Sequence, residues 1–261
     1  MGDGAIVIKD LRKVYRVGEE KVVALSKINL TVPKGQICCI FGTSGSGKST
    51  LLNQIAGFEK PTKGEIYIDG TDICKMNENQ LAAFRQKNIG FIFQSYNLLP
   101  SLTALENVCL PMQFQGIKKS ERRKMGIRML AKVGLKGRSQ HRPNQMSGGQ
   151  QQRVGIARAF AANPKIIFAD EPTGNLDSRT TVEVMEMMVK MTKKSKQTLL
   201  LVTHDDVMAH YADRIVTLID GKIVSDVMVD KDKDNTDTME DVSAQTVVGE
   251  VMDNMQKGQI Q

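Results

Sequence analysis

The segment Gly42-Thr43-Ser44-Gly45-Ser46-Gly47-Lys48-Ser49 restricts the folds open to this chain more than any other. It fits the pattern G-x-x-x-x-G-K-[ST]. The apolar run Ile37-Cys38-Cys39-Ile40-Phe41 precedes it, and a helix-forming stretch closed by Gly57 follows it. A run that is apolar at every position reads as a strand buried on both faces. Gly42, Gly45 and Gly47 let the backbone turn tightly and aim its N–H groups at phosphate oxygens. The helix behind them adds unpaired donors and a favourable dipole. Lys48 supplies a point charge for β- and γ-phosphates, and the Ser49 hydroxyl suits Mg²⁺. Ser44, Ser46 and Thr50 complete the expected nucleotide-binding set. A bare glycine turn before a helix is the alternative, and the flanking strand and helix argue against it.

The remaining chain alternates strands and helices. Residues 5–40 hold three runs of strand character, and GEIYIDG, GFIFQ, KIIFAD and TLLLVTH read as further strands. Helices are expected over 148–162 and 179–194, and a last strand pair around Asp220-Gly221. Residues 97–145 are rich in Lys, Arg, Gln and Met, and their pattern is helical, which marks a candidate helical subdomain at about 97–163. Such alternation implies an α/β fold with a largely parallel sheet, in which ligands gather at the carboxyl ends of the strands.

Three apolar strands each end in one polar group: Asp170-Glu171, Thr203-His204 and Gln94. A carboxylate after a buried run is costly unless it is paired or faces a metal. Asp170 suits an outer partner of Mg²⁺ bound at Ser49, with Gln94 as another metal contact. Glu171 stands one residue further out, where a general base can take a proton from a water. His204 and Gln94 suit sensing of the terminal phosphate. A lone strand-end His or Gln is more often structural; three on one side of a sheet favour function. Ser147 and Gln150 form the capping box S-x-x-Q, and Gly148 and Gly149 leave that helix's N–H groups unshielded. This second anion-type site, about one hundred residues from the first, would be used if each chain closed over its partner's nucleotide.

The stretch MSGGQQQRVGIARAF resembles the signature motif of the ATP-binding-cassette (ABC) family, with Met146 where Leu is usual. The resemblance covers roughly residues 5–227. It takes in the Walker A loop at 42–50, the Q-loop glutamine Gln94, the Walker B strand with the catalytic Glu171, the GNLD loop ending in Asp177 and the switch residue His204. Tyr15 looks like the aromatic residue that stacks on adenine, although an ordinary strand tyrosine is the alternative. The resemblance implies a P-loop NTPase core with a largely parallel sheet, an antiparallel β subdomain and a helical subdomain. It also implies an ATPase using ATP and Mg²⁺, and a head-to-tail homodimer. Two ATP would lie between Walker A of one copy and Ser147, Gly148, Gly149 and Gln150 of the other, with Asp177 at the seam.

The segment FQSYNLLPSLTALENVCLPM with DEPTGNLD looks like the branch containing LolD, MacB, BceA and FtsE. That branch implies a separate integral membrane permease as partner. The permease would dock near Ser95 to Asn107, with Phe93, Leu98, Leu99 and Leu102 as contacts or as packing residues. Lipoprotein, peptide or antimicrobial-peptide export, resistance and sensing are the implied roles. Soluble repair or translation cassettes carry long insertions or tandem cassettes that this chain lacks; a cofactor-assembly ATPase, or one gating a hydrolase or sensor kinase, stays open.

The chain carries no Trp and only 5% aromatic residues, which argues against stacking on nucleic acid. Its apolar runs are far shorter than the ~20 residues a membrane helix needs, and no secretory signal is expected. Four Cys without metal spacing suit a reducing compartment, so the expected place is the cytoplasmic face of a membrane. The net charge of +7 is uneven: from Asp230 onward there are eight acids and three lysines, leaving a basic body. The sequence divides accordingly into a cassette over 1–229 and an acidic segment over 230–261, whose residues 240–256 suit a short amphipathic helix.

Overall fold

A computed structural model describes residues 4–229; the acidic linker and amphipathic helix expected over 230–261 lie outside the described residues. The described chain runs β1 (Gly4–Val17), β2 (Glu20–Pro33), β3 (Ile37–Phe41), α1 (Lys48–Ile55), β4 (Lys63–Ile68), β5 (Thr71–Asp72), α2 (Glu78–Asn88) and β6 (Ile89–Phe93). It continues α3 (Ala104–Phe114), α4 (Lys119–Lys132), α5 (Gly148–Ala161), β7 (Ile166–Asp170), α6 (Ser178–Ser195), β8 (Thr198–Thr203), α7 (Asp206–Ala209), β9 (Arg214–Ile219) and β10 (Lys222–Met228). Two short 3-10 turns, Lys136–Arg138 and Pro143–Gln145, separate α4 from α5.

Two sheets result. The larger has the order β10-β9-β3-β8-β7-β6, and every pair is parallel except β9 with β10. The smaller, β2-β1-β4-β5, is antiparallel. The central strands are apolar on both faces because both faces are covered. Cys38 and Ile40, Ile166 and Phe168, and Leu200 and Val202 pack with α1 against the small sheet. The alternate residues Ile37, Cys39, Phe41, Ile167, Ala169, Leu199 and Leu201 pack against α3, α5 and α6. Each fully buried aliphatic side chain contributes about 1.5–3 kcal/mol. Gly90 in β6 lets α5 approach closely: a Cβ there would lie 2.4 Å from the Ala159 carbonyl oxygen.

The expected strands and helices are present with ends shifted by one or two residues. Helix α2 is not among the expected elements, although Asn77 and Gln80 form a reciprocal capping box at its start, with both bonds at 2.9 Å. Residues 97–103 are a loop rather than helix. Its organiser is the fully buried Asn107, which accepts from Leu99 N–H at 2.8 Å and donates to the carbonyls of Leu99, Leu102 and Thr103.

Candidate functional site

Register brings the site together. Phe41 pairs with Thr203, Asp170 with Val202, and Phe93 with Asp170, so four connections leave the sheet along one edge. The residues that follow, Gly42, His204, Glu171 and Gln94, are therefore neighbours although 162 positions separate the first from the second. A cleft of about 570 Å³ opens there, and Ser44, Gly45, Gly47, Lys48, Ser49, Thr50, Gln94, Glu171 and His204 line it. Gly42 and Ser46 lie buried beneath the loop. A Cβ on Gly42 would sit 2.3 Å from the Leu218 carbonyl oxygen, and the Ser46 hydroxyl has no protein partner.

The fit to a bound triphosphate rests on the donors. Gly47 caps α1 with φ of 101°, and a Cβ there would strike the Ala24 carbonyl at 2.8 Å, so only glycine is accommodated. Lys48 is buried and donates to the carbonyls of Gly42 at 2.7 Å and Thr43 at 2.9 Å. An ammonium has three donors, so one remains for an anion above the loop. Among the described residues no three His, Cys, Asp or Glu side chains cluster as a metal site. Mg²⁺ held by Ser49, Gln94 and, further back, Asp170 would take its remaining oxygens from phosphates and water, its usual arrangement.

Glu171 is half-buried and rigidly held. Its backbone sits at φ 45°, a left-handed conformation costing roughly 1–2 kcal/mol, and its N–H donates to the Val202 carbonyl at 2.9 Å. One carboxylate oxygen accepts from the Thr203 hydroxyl at 3.0 Å, and the other meets His204 Nδ1 at 2.7 Å. Burial pushes the Asp170 carboxyl above its ordinary range; Glu171 adds to this and Lys48 opposes it. The Gln94 side chain lies over Gly174, where a Cβ would come within 2.7 Å of its amide nitrogen. The Gln94 carbonyl accepts from Asn175 at 3.1 Å.

Tyr15 stands beside the cleft rather than in its lining. Its hydroxyl donates to Glu59 at 2.7 Å, and Lys13 lies over its ring at 5.0 Å. Burial and the Glu59 carboxylate raise its pKa, while a bond with Thr50 of the phosphate loop lowers it. Ser147, Gly148, Gly149 and Gln150 lie elsewhere. With Asp177, Asn175 and Arg153 they line a second cleft of about 310 Å³ that shares no residue with the first. The expected Ser147–Gln150 capping box is present, with both bonds at 3.3 Å, and Asp177 caps α6 by accepting from Thr180 N–H at 2.9 Å.

Sequence reasoning missed Val22, Val23, Ala24, Asp220 and Gly221, which also line the first cleft. The Asp-Gly dipeptide carried a signal. Asp220 and Gly221 sit at φ 47° and 70° in the tight turn between β9 and β10, as an Asp-Gly hairpin turn requires. Gly221 N–H donates to the Ser46 carbonyl at 2.9 Å, so this turn buttresses the phosphate loop.

The ABC transporter family model matches residues 25–174. The chain belongs to the ABC transporter family. As an ABC protein it is 51% identical, over 84% of its length, to an uncharacterised ABC transporter ATP-binding protein, MJ1508, of Methanocaldococcus jannaschii, covering 97% of that protein. It is 45% identical to the lipoprotein-releasing system ATP-binding protein LolD of Geobacter metallireducens, covering 84% of this chain and 97% of that one. A solved dimeric post-hydrolysis state of the cassette MJ0796, bound to ADP and Pi, superposes with a TM-score of 0.80. It is 43% identical and covers 86% of this chain and 99% of that one. The chain is thus an ABC ATPase with the expected fold: a mixed, largely parallel sheet, an antiparallel sheet and packed helices.

Proposed function

We propose that two copies of this chain close head-to-tail on two ATP molecules and drive a separate membrane permease. The observation that carries this reading is the pair of separate clefts. One holds the phosphate loop and Glu171; the other presents a capped helix N-terminus with two glycines and Asp177, but no ammonium placed like Lys48. A head-to-tail pair would bring each second cleft over its partner's first. The dimeric MJ0796 cassette with ADP and Pi supports this arrangement.

In this reading Tyr15 stacks on adenine. The loop of Gly42, Ser44, Gly45, Ser46, Gly47, Lys48, Ser49 and Thr50 binds the phosphates, and Mg²⁺ held by Ser49, Gln94 and Asp170 would neutralise charge on them. Glu171, steered by Thr203 and His204, accepts the proton of the attacking water. Ser147, Gly148, Gly149 and Gln150 of the partner copy then cover the terminal phosphate, and Asp177 lines the seam.

The permease would dock against the loop after Gln94. Leu99 is 48% exposed there, whereas Leu98 packs on the core, and Phe93 stacks on Phe91 at 5.0 Å. Among the described residues no helix is long and apolar enough to cross a membrane, so the spanning helices would belong to the permease and this chain would sit at its cytoplasmic face. Similarity to the lipoprotein-releasing protein LolD favours a lipoprotein as the molecule moved.

The test is Glu171→Gln. It should bind ATP, form a stable dimer by sedimentation and hydrolyse at least ~10²-fold more slowly. Tagged and incubated with native membranes, it should retain a polytopic protein more tightly with ATP and Mg²⁺ than without. Undiminished turnover would remove Glu171 from its role; recovery of soluble partners alone would remove the permease.

A further inference from the structure

Helix α5 is the element that carries the signature residues at its start, and a single buried side chain ties it to the catalytic carboxylate of its own chain. Gln152 is fully buried, and its Nε2 donates to the carbonyl of Pro172, the residue after Glu171. Its Oε1 is buried with no protein partner. An unmet buried acceptor costs about 1–3 kcal/mol, and a methionine would fill the same space without that cost. Packing therefore does not account for the amide; its donor does.

The bond sits where it controls Glu171. The proline ring locks its own φ, so fixing the Pro172 carbonyl fixes the orientation of that residue back to the Glu171 carbonyl. The Glu171 carbonyl in turn accepts from Gly174 N–H at 3.1 Å, which closes the turn. Farther along α5, the half-buried Arg158 donates to the carbonyls of Tyr96, at 2.8 Å, and Asn97. Those two residues hold left-handed conformations, φ 60° and 46°, two and three positions beyond Gln94. The same helix thus grips both loops that carry Gln94 and Glu171.

We infer that Gln152 is a positioning residue for hydrolysis: it holds Glu171 in register with the helix whose first turn would cover the partner's nucleotide. The inference rests on the reading of Glu171 as the general base. Displacement of that helix would reach Glu171 through one hydrogen bond.

Gln197 provides the control. It is 4% exposed, donates to the Pro164 carbonyl at 2.6 Å and also has an unpartnered Oε1, but it lies just before β8, at the opposite end of the sheet. Gln152→Met and Gln197→Met should shift Tm alike. Gln152→Met alone should lower kcat about 10- to 10²-fold, with KM for ATP within about twofold of the parent. Equal kcat in both variants, or a fall in kcat matched by an equal fall in Gln197→Met, would overturn the inference. If Gln152→Met does not fold, Gln152→Leu takes its place; failure of both while Gln197→Met folds would assign Gln152 to packing and equally overturn it. Glu171→Gln, run alongside, separates the two claims. Full turnover in that variant sinks the base itself, whereas slow Glu171→Gln with fast Gln152→Met sinks only the positioning role.

Discussion

Gly221 offers a perturbation whose cost can be worked from the structure. Its φ is 70°, and an added Cβ would lie 2.4 Å from the Ala24 carbonyl oxygen and 3.0 Å from Leu25 Cα. A left-handed alanine costs roughly 1–2 kcal/mol. The contact is with backbone, so no side-chain rotation relieves it. Strand β2 must retreat by about 1 Å, an overpacking cost of about 1–3 kcal/mol. That retreat also stretches the bond from Ser26 N–H to the Gly221 carbonyl, now 2.8 Å, which is worth about 0.5–1.5 kcal/mol. Gly221→Ala should therefore cost roughly 3–6 kcal/mol, a large part of a typical total of about 5–15. Gly18 has a similar φ of 63° but nothing within 4 Å of its added Cβ, so Gly18→Ala should show the conformational cost alone. At about 2–4 °C per kcal/mol for a chain of this size, thermal melts should place Gly221→Ala well below Gly18→Ala. Only Gly221→Ala should also raise KM for ATP, because its N–H holds the Ser46 carbonyl of the phosphate loop. Melting points within about 2 °C of each other would refute the argument, since the two variants share the left-handed term and differ only in the clash.

Asp170→Asn should melt above the parent at neutral pH without nucleotide, while its Mg²⁺-dependent turnover collapses. Burial raises the carboxyl's folded-state pKa, so the parent loses stability as pH rises from the ordinary carboxylate range through that raised value. The advantage of the variant should therefore vanish in acid; a variant that melts lower at pH 7 would contradict this. Burial also pushes the Cys38 thiol up to about 12 and Cys39 well above its ordinary value. Iodoacetamide at pH 8 should label both only after unfolding, read by mass spectrometry, and labelling of native Cys38 as fast as half-buried Cys74 would contradict the burial.

Much of the site was legible because its chemistry demands particular residue types in short windows. Gly47 must be glycine, Lys48 must follow it, and Ser147 and Gln150 must stand three apart to cap one helix. The strand ends were legible for a different reason: an apolar run that stops at a carboxylate is visible without any tertiary knowledge. α2 escaped notice because only Leu81 on it is a buried apolar residue, so its periodicity is faint, although Asn77 and Gln80 marked its start. Val22, Val23 and Ala24 escaped because nothing local distinguishes the part of β2 that passes the phosphate loop from the rest of that strand. Glu59 likewise has no motif around it, and meets Tyr15 only across a separation of 44 residues.

Gln152 and Gln197 show most directly where pattern reading ends. Both are buried amides that donate to a proline carbonyl and leave one acceptor unmet. In local chemistry they are equivalent, and helix or strand propensity does not tell them apart. Parallel topology does. Strands β7 and β8 run side by side in one direction, so a bond at their starts touches no chemistry, while a bond just past the end of β7 holds the residue that follows Glu171. The same register that gathers Gly42, Gln94, Glu171 and His204 at one edge therefore decides which buried glutamine bears on catalysis. A functional assignment for such residues follows from the end of the sheet they occupy, and the two methionine variants test that assignment.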